Sequence, residues 1–190
     1  CRSGKDANKV PHPLFDKLYF MAKNLAQYSD EKKLYDSHAI YMQQLQAWIQ
    51  SAQGKPGTLL LETLYTYLDK GTLLHDLVEQ GILIVDENGR LSKKRMIDTD
   101  SIDIFNLVTE QSNAVLRFIV EDEDEHFHKL WMEADLIKSF SEYYEPMIKQ
   151  KGVCYISGKN TLLSIKHPAK IRYVTDQAKL ISSNDKTNFT

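Results

Sequence analysis

Residues 82–94 read ILIVDENGRLSKK. The segments just before them have helical spacing. Here the composition turns to Ile, Leu and Val around Asn88-Gly89. Both turn residues tolerate left-handed backbone, so an Asn-Gly pair between apolar runs is a strong hairpin signal. A hairpin behind a run of helices makes the fold mixed rather than all-helical.

Upstream, TLLLETLYTYLDKG and TLLHDLVEQG read as two short helices closed by Gly71 and Gly81. Before them, residues 29–53 carry Leu34, Tyr41, Leu45, Trp48 and Ile49 on one helical face. Ser29 is the expected cap of that helix, Asp30 and Glu31 suit its positive end, and GKPG at 54–57 stops it. LFDKLYFMAKNLAQY, residues 14–28, reads as a short buried helix, and Pro11 and Pro13 mark an extended lead-in.

Downstream, IDIFNLV (102–108) and AVLRFIV (114–120) read as strands. A stripe of Leu130, Trp131, Ile137, Phe140, Tyr144 and Ile148 predicts a long helix over 127–149, kinked or ended by Pro146. From Gly152, the strand-like pieces VCYIS and KIRYV alternate with polar turns. The expected fold is α+β: a helical N-terminal half, a small mainly antiparallel sheet from 82–120 and 152–175, and one long packed helix.

Of the 190 residues, 42% are hydrophobic and 26% charged, which excludes a disordered chain. Charge is unevenly placed. Residues 151–190 hold seven Lys or Arg against two Asp, a net of +5, whereas residues 1–150 carry a net of −7. The chain divides on this basis into an acidic helix-and-strand body, 1–150, and a basic strand-and-loop module, 151–190. The basic module fits either a polyanion contact or a solvated edge. Cys1 and Cys154 are the only cysteines, so no disulfide framework is suggested and a reducing cytoplasm fits. No apolar run approaches the ~18 residues that span a bilayer. The first residue is Cys, so the chain is expected to be a piece of a longer protein.

Catalytic motifs are missing: no nucleophile elbow, Walker loop or dinucleotide fingerprint occurs. A Cys154/His167 pair has no local support, and Cys154 has no second Cys near it to build a zinc knuckle. The run Glu121–Glu125 with His126 and His128 invites a metal. Five successive carboxylates on a regular element do not converge on one ion, however, and acids ahead of a helix suit its dipole. No metal or cofactor is therefore expected. Residues 58–95 also admit a winged-helix reading, with Lys93, Lys94 and Arg95 on the wing. The would-be recognition helix carries Asp76 and Glu79 and no Arg or Lys, so a plain helix–hairpin unit competes with it.

The richest constellation lies in residues 157–190. Ser157-Gly158 forms a turn exposing Lys159 and Asn160. Lys166, His167, Lys170, Arg172, Lys179 and Lys186 offer phosphate donors. Asn160, Asn184 and Asn188 are amides able to read base edges. Tyr155, Tyr173 and Phe189 fit either base stacking or a core. An ordinary surface loop is the alternative for the closing ISSNDKTNFT.

At these residues the chain resembles a known family. PHPLFDKLYFMAKN, KGTLLHDLVEQGILIVDENGRL, KGVCYISGKNTLLSIKHPAKIR and DQAKLISSNDKTNFT are similar to the large subunit of the type I-C CRISPR surveillance complex, Cascade. The matching features are Cys154, Gly158, His167-Pro168, Lys179 and Ser182-Ser183-Asn184-Asp185. The last 40 residues are the most specific part, and 96–126 contribute little. Family members are much longer, so the resemblance implies an N-terminal fragment that lacks its beginning and ends inside the Asn loop. It also implies a non-catalytic subunit that recognises the protospacer-adjacent motif (PAM) in double-stranded DNA, helps open the duplex and sits where a nuclease-helicase is recruited. Guide RNA, backbone subunits and small subunits are the implied partners. Lys159, Asn160, Lys166, Lys170, Arg172, Asn184 and Lys186 are then expected at the motif duplex, with Asn160 and Asn184 as base readers and the cations as phosphate clamps. A free-standing winged-helix regulator and a metal-dependent nuclease acting through Asp122 and Asp124 are the rival classes.

Overall fold

A computed structural model of the chain describes residues 10–94, 103–148, 151–154, 157–162 and 173. They fall into two compact units, one ending at Tyr143 and the other beginning at Tyr144. The fold is α+β, with helices dominating the first unit.

In chain order the elements are β1 (Phe15–Lys17), α1 (Leu18–Met21), α2 (Leu25–Tyr28), α3 (Ser37–Ala52), α4 (Thr58–Lys70), α5 (Leu73–Glu79), β2 (Val115–Arg117), β3 (Ile119–Glu121), β4 (Phe127–Lys129), α6 (Ala134–Tyr144), β5 (Lys151–Val153) and β6 (Asn160–Leu162). Among the described residues the strands form three separate antiparallel pairs, β1–β2, β3–β4 and β5–β6, rather than one sheet. No helix among the described residues is long and apolar enough to cross a membrane.

α3 is the centre of the first unit. The expected face is the buried one: Leu34, Tyr41, Leu45, Trp48 and Ile49 all enter the core. α1 meets this face with Leu18, Tyr19, Phe20 and Met21, and α4 adds Leu61, Leu64 and Leu68 at helical spacing. His38 enters beside them. Its Nδ1 lies 3.1 Å from the Phe20 carbonyl, which only accepts, so Nδ1 carries the proton. Burial pulls the His38 pKa down, which keeps the ring neutral.

α6 closes the core from the other side. Trp48 Nε1 donates to Ser139 Oγ at 3.0 Å, and its ring meets Phe140 edge-on at 5.0 Å. Gly57 lies beneath α6 with φ +82°; a Cβ there would come within 2.7 Å of Leu136 Cδ2. Gly57 thus serves both the left-handed turn and the close approach of the buried Leu136. Lys55 pairs with Glu142 at 2.7 Å across the same junction.

Four sequence expectations change. The first α-helix of 29–53 begins at Ser37; Ser29 instead accepts the Glu31 N–H at 3.2 Å in a preceding turn. Residues 14–28 split into β1, α1 and α2 instead of one helix. Ile104–Asn106 is a 3-10 turn, not a strand. Asp103 Oδ1 accepts the Phe105 N–H and Asn106 Oδ1 accepts the Asp103 N–H, a capping box that outweighs the strand propensity of Ile and Phe. The long helix over 127–149 is also shorter. Phe127–Lys129 pairs as β4, Leu130–Met132 makes a 3-10 turn, and α6 runs only from Ala134 to Tyr144. Its inward residues are Leu136, Ser139 and Phe140, and Ile137 faces solvent.

The hairpin at 82–94 exists in reduced form. Val85 and Leu91 make a single antiparallel bridge, and Asp86 donates its N–H to the Arg90 carbonyl. Gly89, at φ +73°, takes the left-handed position of the turn. Buried Gln111 stitches the two arms together. Its Oε1 accepts the Ile84 N–H at 2.8 Å, and its Nε2 donates to the carbonyls of Ile84 at 2.7 Å and Ser92 at 2.9 Å. The side-chain amide does the work of a neighbouring strand.

Candidate nucleic-acid interface

The basic module is described at its first hairpin. β5 and β6 pair in the register Lys151↔Leu162, Gly152↔Thr161 and Val153↔Asn160. The ladder continues one step further, with the Cys154 N–H donating to the Lys159 carbonyl at 2.9 Å. The Gly158 N–H donates back to the Cys154 carbonyl at 2.7 Å, which closes the tip. Gly158 sits at φ +66° with open space where a Cβ would be, so glycine serves the turn and not packing.

Ser157, Gly158, Lys159 and Asn160 are all exposed, as the Ser-Gly turn predicts. Residues 151–162 contain two lysines and no carboxylate, so the tip has no internal anion to neutralise it. Such a tip can offer a cation to a phosphate and an amide to a base edge.

Pleating separates the two predicted contacts. Side chains alternate along a strand, so Asn160 shares its face with Lys151, Val153 and Leu162. Lys159 leaves on the opposite face with Thr161. The cation beside Asn160 is therefore Lys151, diagonal to it at about 7–8 Å. The sequence reading did not include Lys151; counting back from the Ser-Gly turn by alternation identifies it.

Lys166, Lys170, Arg172, Asn184 and Lys186 lie outside the described residues, as do Arg95, Tyr155, His167, Lys179, Asn188, Phe189 and, apart from Tyr173, the segment KIRYV. Tyr173 is exposed, which removes it from any core. Cys154 is half-buried at the end of β5.

In the winged-helix alternative, α5 would be the reader. It is one of the shorter helices. Leu73 and Leu74 are buried, and the Asp76 carboxylate accepts from Tyr67 and Thr72 hydroxyls at 2.8 and 2.9 Å. The one side chain of α5 able to donate to a groove is His75, which lies 4.0 Å from Glu79.

The acidic run has a different setting from the one expected. It forms the turn between β3 and β4, not the lead-in to a helix, so the dipole explanation does not hold. Asp122 organises that turn. Its Oδ1 accepts N–H bonds from Asp124 at 3.0 Å and His126 at 2.9 Å, while Oδ2 meets His128 Nε2 at 3.0 Å. The other nitrogen of His128 lies 3.3 Å from Glu133 Oε1. The His128 bond and the backbone N–H of His126 hold the Asp122 carboxyl well below the usual carboxylate range. His128 is raised, first by Asp122 and then by Glu133. With a carboxylate on each nitrogen, both ring protons have acceptors only in the imidazolium form.

This gives a pH window. The His128 contribution is complete below the ordinary imidazole value of ~6.5 and is lost as pH rises through its raised folded value. The Asp122 contribution is present above the ordinary carboxylate value of ~3.9 and is lost as pH falls through its depressed one. An NMR titration of the His128 ring should find its midpoint above that of a free imidazole, and Asp122→Asn should return it toward ~6.5. An unchanged midpoint in the variant would show that the pair is not formed.

The family model described as CRISPR-associated protein (Cas_Csd1) matches residues 2–190. No curated protein and no solved structure matches the chain. Because the match covers nearly the full length, the chain belongs to the CRISPR-associated protein family Cas_Csd1.

Proposed function

We propose that this chain is part of the non-catalytic large subunit of a type I-C CRISPR interference complex in the cytoplasm, and that it recognises the protospacer-adjacent motif in double-stranded target DNA. In this reading it aids duplex opening and nuclease-helicase recruitment, and it works with guide RNA, backbone subunits and small subunits. The observation that carries the reading is membership of a CRISPR-associated family over residues 2–190, with an exposed, carboxylate-free hairpin tip in the basic module. Sequence beyond the motif is left to guide pairing, so the protein needs only phosphate clamps and a few base readers.

Salt-titrated binding of the assembled complex to short duplexes, with and without candidate motifs, tests this. Lys151→Ala and Lys170→Ala should weaken all duplexes evenly, each reducing the salt slope by about 1. Asn160→Ala and Asn184→Ala should instead shrink the preference for the motif, by about 1–3 kcal/mol for a bidentate reader. If none of the four changes alters binding, the basic module is a solvated edge and the proposal fails.

A further inference from the structure

We propose that the tip of the β3–β4 hairpin is a binding site for a divalent transition-metal ion of the zinc class, with Asp122, Asp124, His126 and His128 as ligands. Carboxylates spread along a regular element do not converge on one ion. The turn removes that restriction, since ligand atoms of Asp122, Asp124 and His126 all lie within 4.8 Å of one another. His128 joins them from β4, with Nε2 at 3.0 Å from the Asp122 oxygen that His126 Nδ1 approaches at 3.4 Å. Ligand bonds of ~2.0 Å to a tetrahedral ion place ligand atoms about 3.3 Å apart. The Asp122–His126 and Asp122–His128 distances already bracket that value, so Asp122 needs little movement, and Asp124 and the two imidazoles have to close in on one another.

The donor set selects the metal. Two imidazoles and two carboxylates suit Zn2+, Co2+ or Ni2+, whereas Ca2+ and Mg2+ want oxygen alone. Two histidines with a carboxylate behind one of them distinguish this turn from an ordinary acidic patch. Glu133, from the segment leading into α6, faces the far nitrogen of His128. A ligating histidine commonly donates its other N–H to a carboxylate, which fixes tautomer and ring orientation. The proton balance is simple. The ion takes the place of the proton on His128 Nε2, which leaves to solvent, and Nδ1–H stays with Glu133. Four protein ligands make a closed, structural site that locks the hairpin tip.

The full chain, stripped of metal with a chelator, is titrated with Zn2+ in competition with a chromogenic chelator. One equivalent should bind, with proton release, and Co2+ at the same site should give intense tetrahedral visible absorption. Excess Ca2+ or Mg2+ should not displace it. His126→Gln alters an exposed side chain and leaves folding intact; together with His128→Gln it should abolish stoichiometric binding. Glu133→Gln, which touches no metal, should weaken binding about 10–100-fold. Two results would overturn the site: no stoichiometric Zn2+ or Co2+ binding, or binding that survives loss of both histidines. Neither readout involves DNA, so failure here leaves the DNA-recognition proposal untouched.

Discussion

Trp48→Ala should lower the stability of the helical unit by about 3–5 kcal/mol, the cost of deleting a fully buried aromatic. Trp48 is 1% exposed and joins α3 to α6, two elements far apart in sequence. Its ring lies edge-on to Phe140 of α6, and its indole N–H donates to buried Ser139. The substitution therefore leaves a cavity and an unpartnered hydroxyl together. Urea unfolding followed by circular dichroism measures the change as a shift of midpoint. Trp48→Phe separates the two causes. It keeps most of the apolar volume but loses the hydrogen bond, so it should cost about 1–2 kcal/mol, mostly through Ser139. Equal losses for Ala and Phe would mean that packing against α6 contributes little, contrary to the geometry.

That contact also shows what the sequence could and could not reveal. The α3 face was legible because Tyr41, Leu45, Trp48 and Ile49 repeat at helical spacing, a signal local to one helix. The ends of α4 and α5 were legible because Gly71 and Gly81 stop them. The partner of Trp48 was legible only in part. The stripe includes Phe140, which does pack on Trp48, but it also takes in Ile137 and Tyr144, which are exposed, and it omits buried Leu136 and Ser139, since a buried Ser carries no hydropathy signal. The same limit applies at Asp103, where a side-chain cap overrides strand propensity, and at β4, where pairing with β3 takes Phe127–Lys129 out of a helical stripe. In the basic module the Ser-Gly turn gave the exposure of Lys159 and Asn160. The register that puts Lys151 rather than Lys159 beside Asn160 required the paired strand.

Gln111→Leu should destabilise the same unit by about 2–4 kcal/mol, although it replaces a polar group with an apolar one of similar size in a buried position. Gln111 is 2% exposed and makes three hydrogen bonds to backbone. Leucine leaves the Ile84 N–H and the Ser92 carbonyl without partners and takes one of two donors from the Ile84 carbonyl, which keeps the Ser92 N–H; the penalty for unmet buried groups exceeds the gain from added apolar area. The loss should begin locally. Hydrogen exchange of the Ile84 and Ser92 amides should accelerate well before that of α3, because the one bridge between Val85 and Leu91 and the Ser92 N–H bond to the Ile84 carbonyl cannot hold the arms alone. Gln111→Glu makes the test sharper. One carboxylate oxygen still accepts from Ile84, but the other confronts two carbonyls with no proton to give. Protonation restores a donor, so the folded state raises the pKa of the new carboxyl and the variant recovers stability as pH falls. The Gln111→Leu variant, with no group to protonate there, would show no such recovery. If Gln111→Glu were as stable as the wild type at neutral pH, the amide would not be the clip between the arms, and the hairpin would owe its shape to the Asp86–Arg90 turn and the Ser92–Ile84 backbone bond.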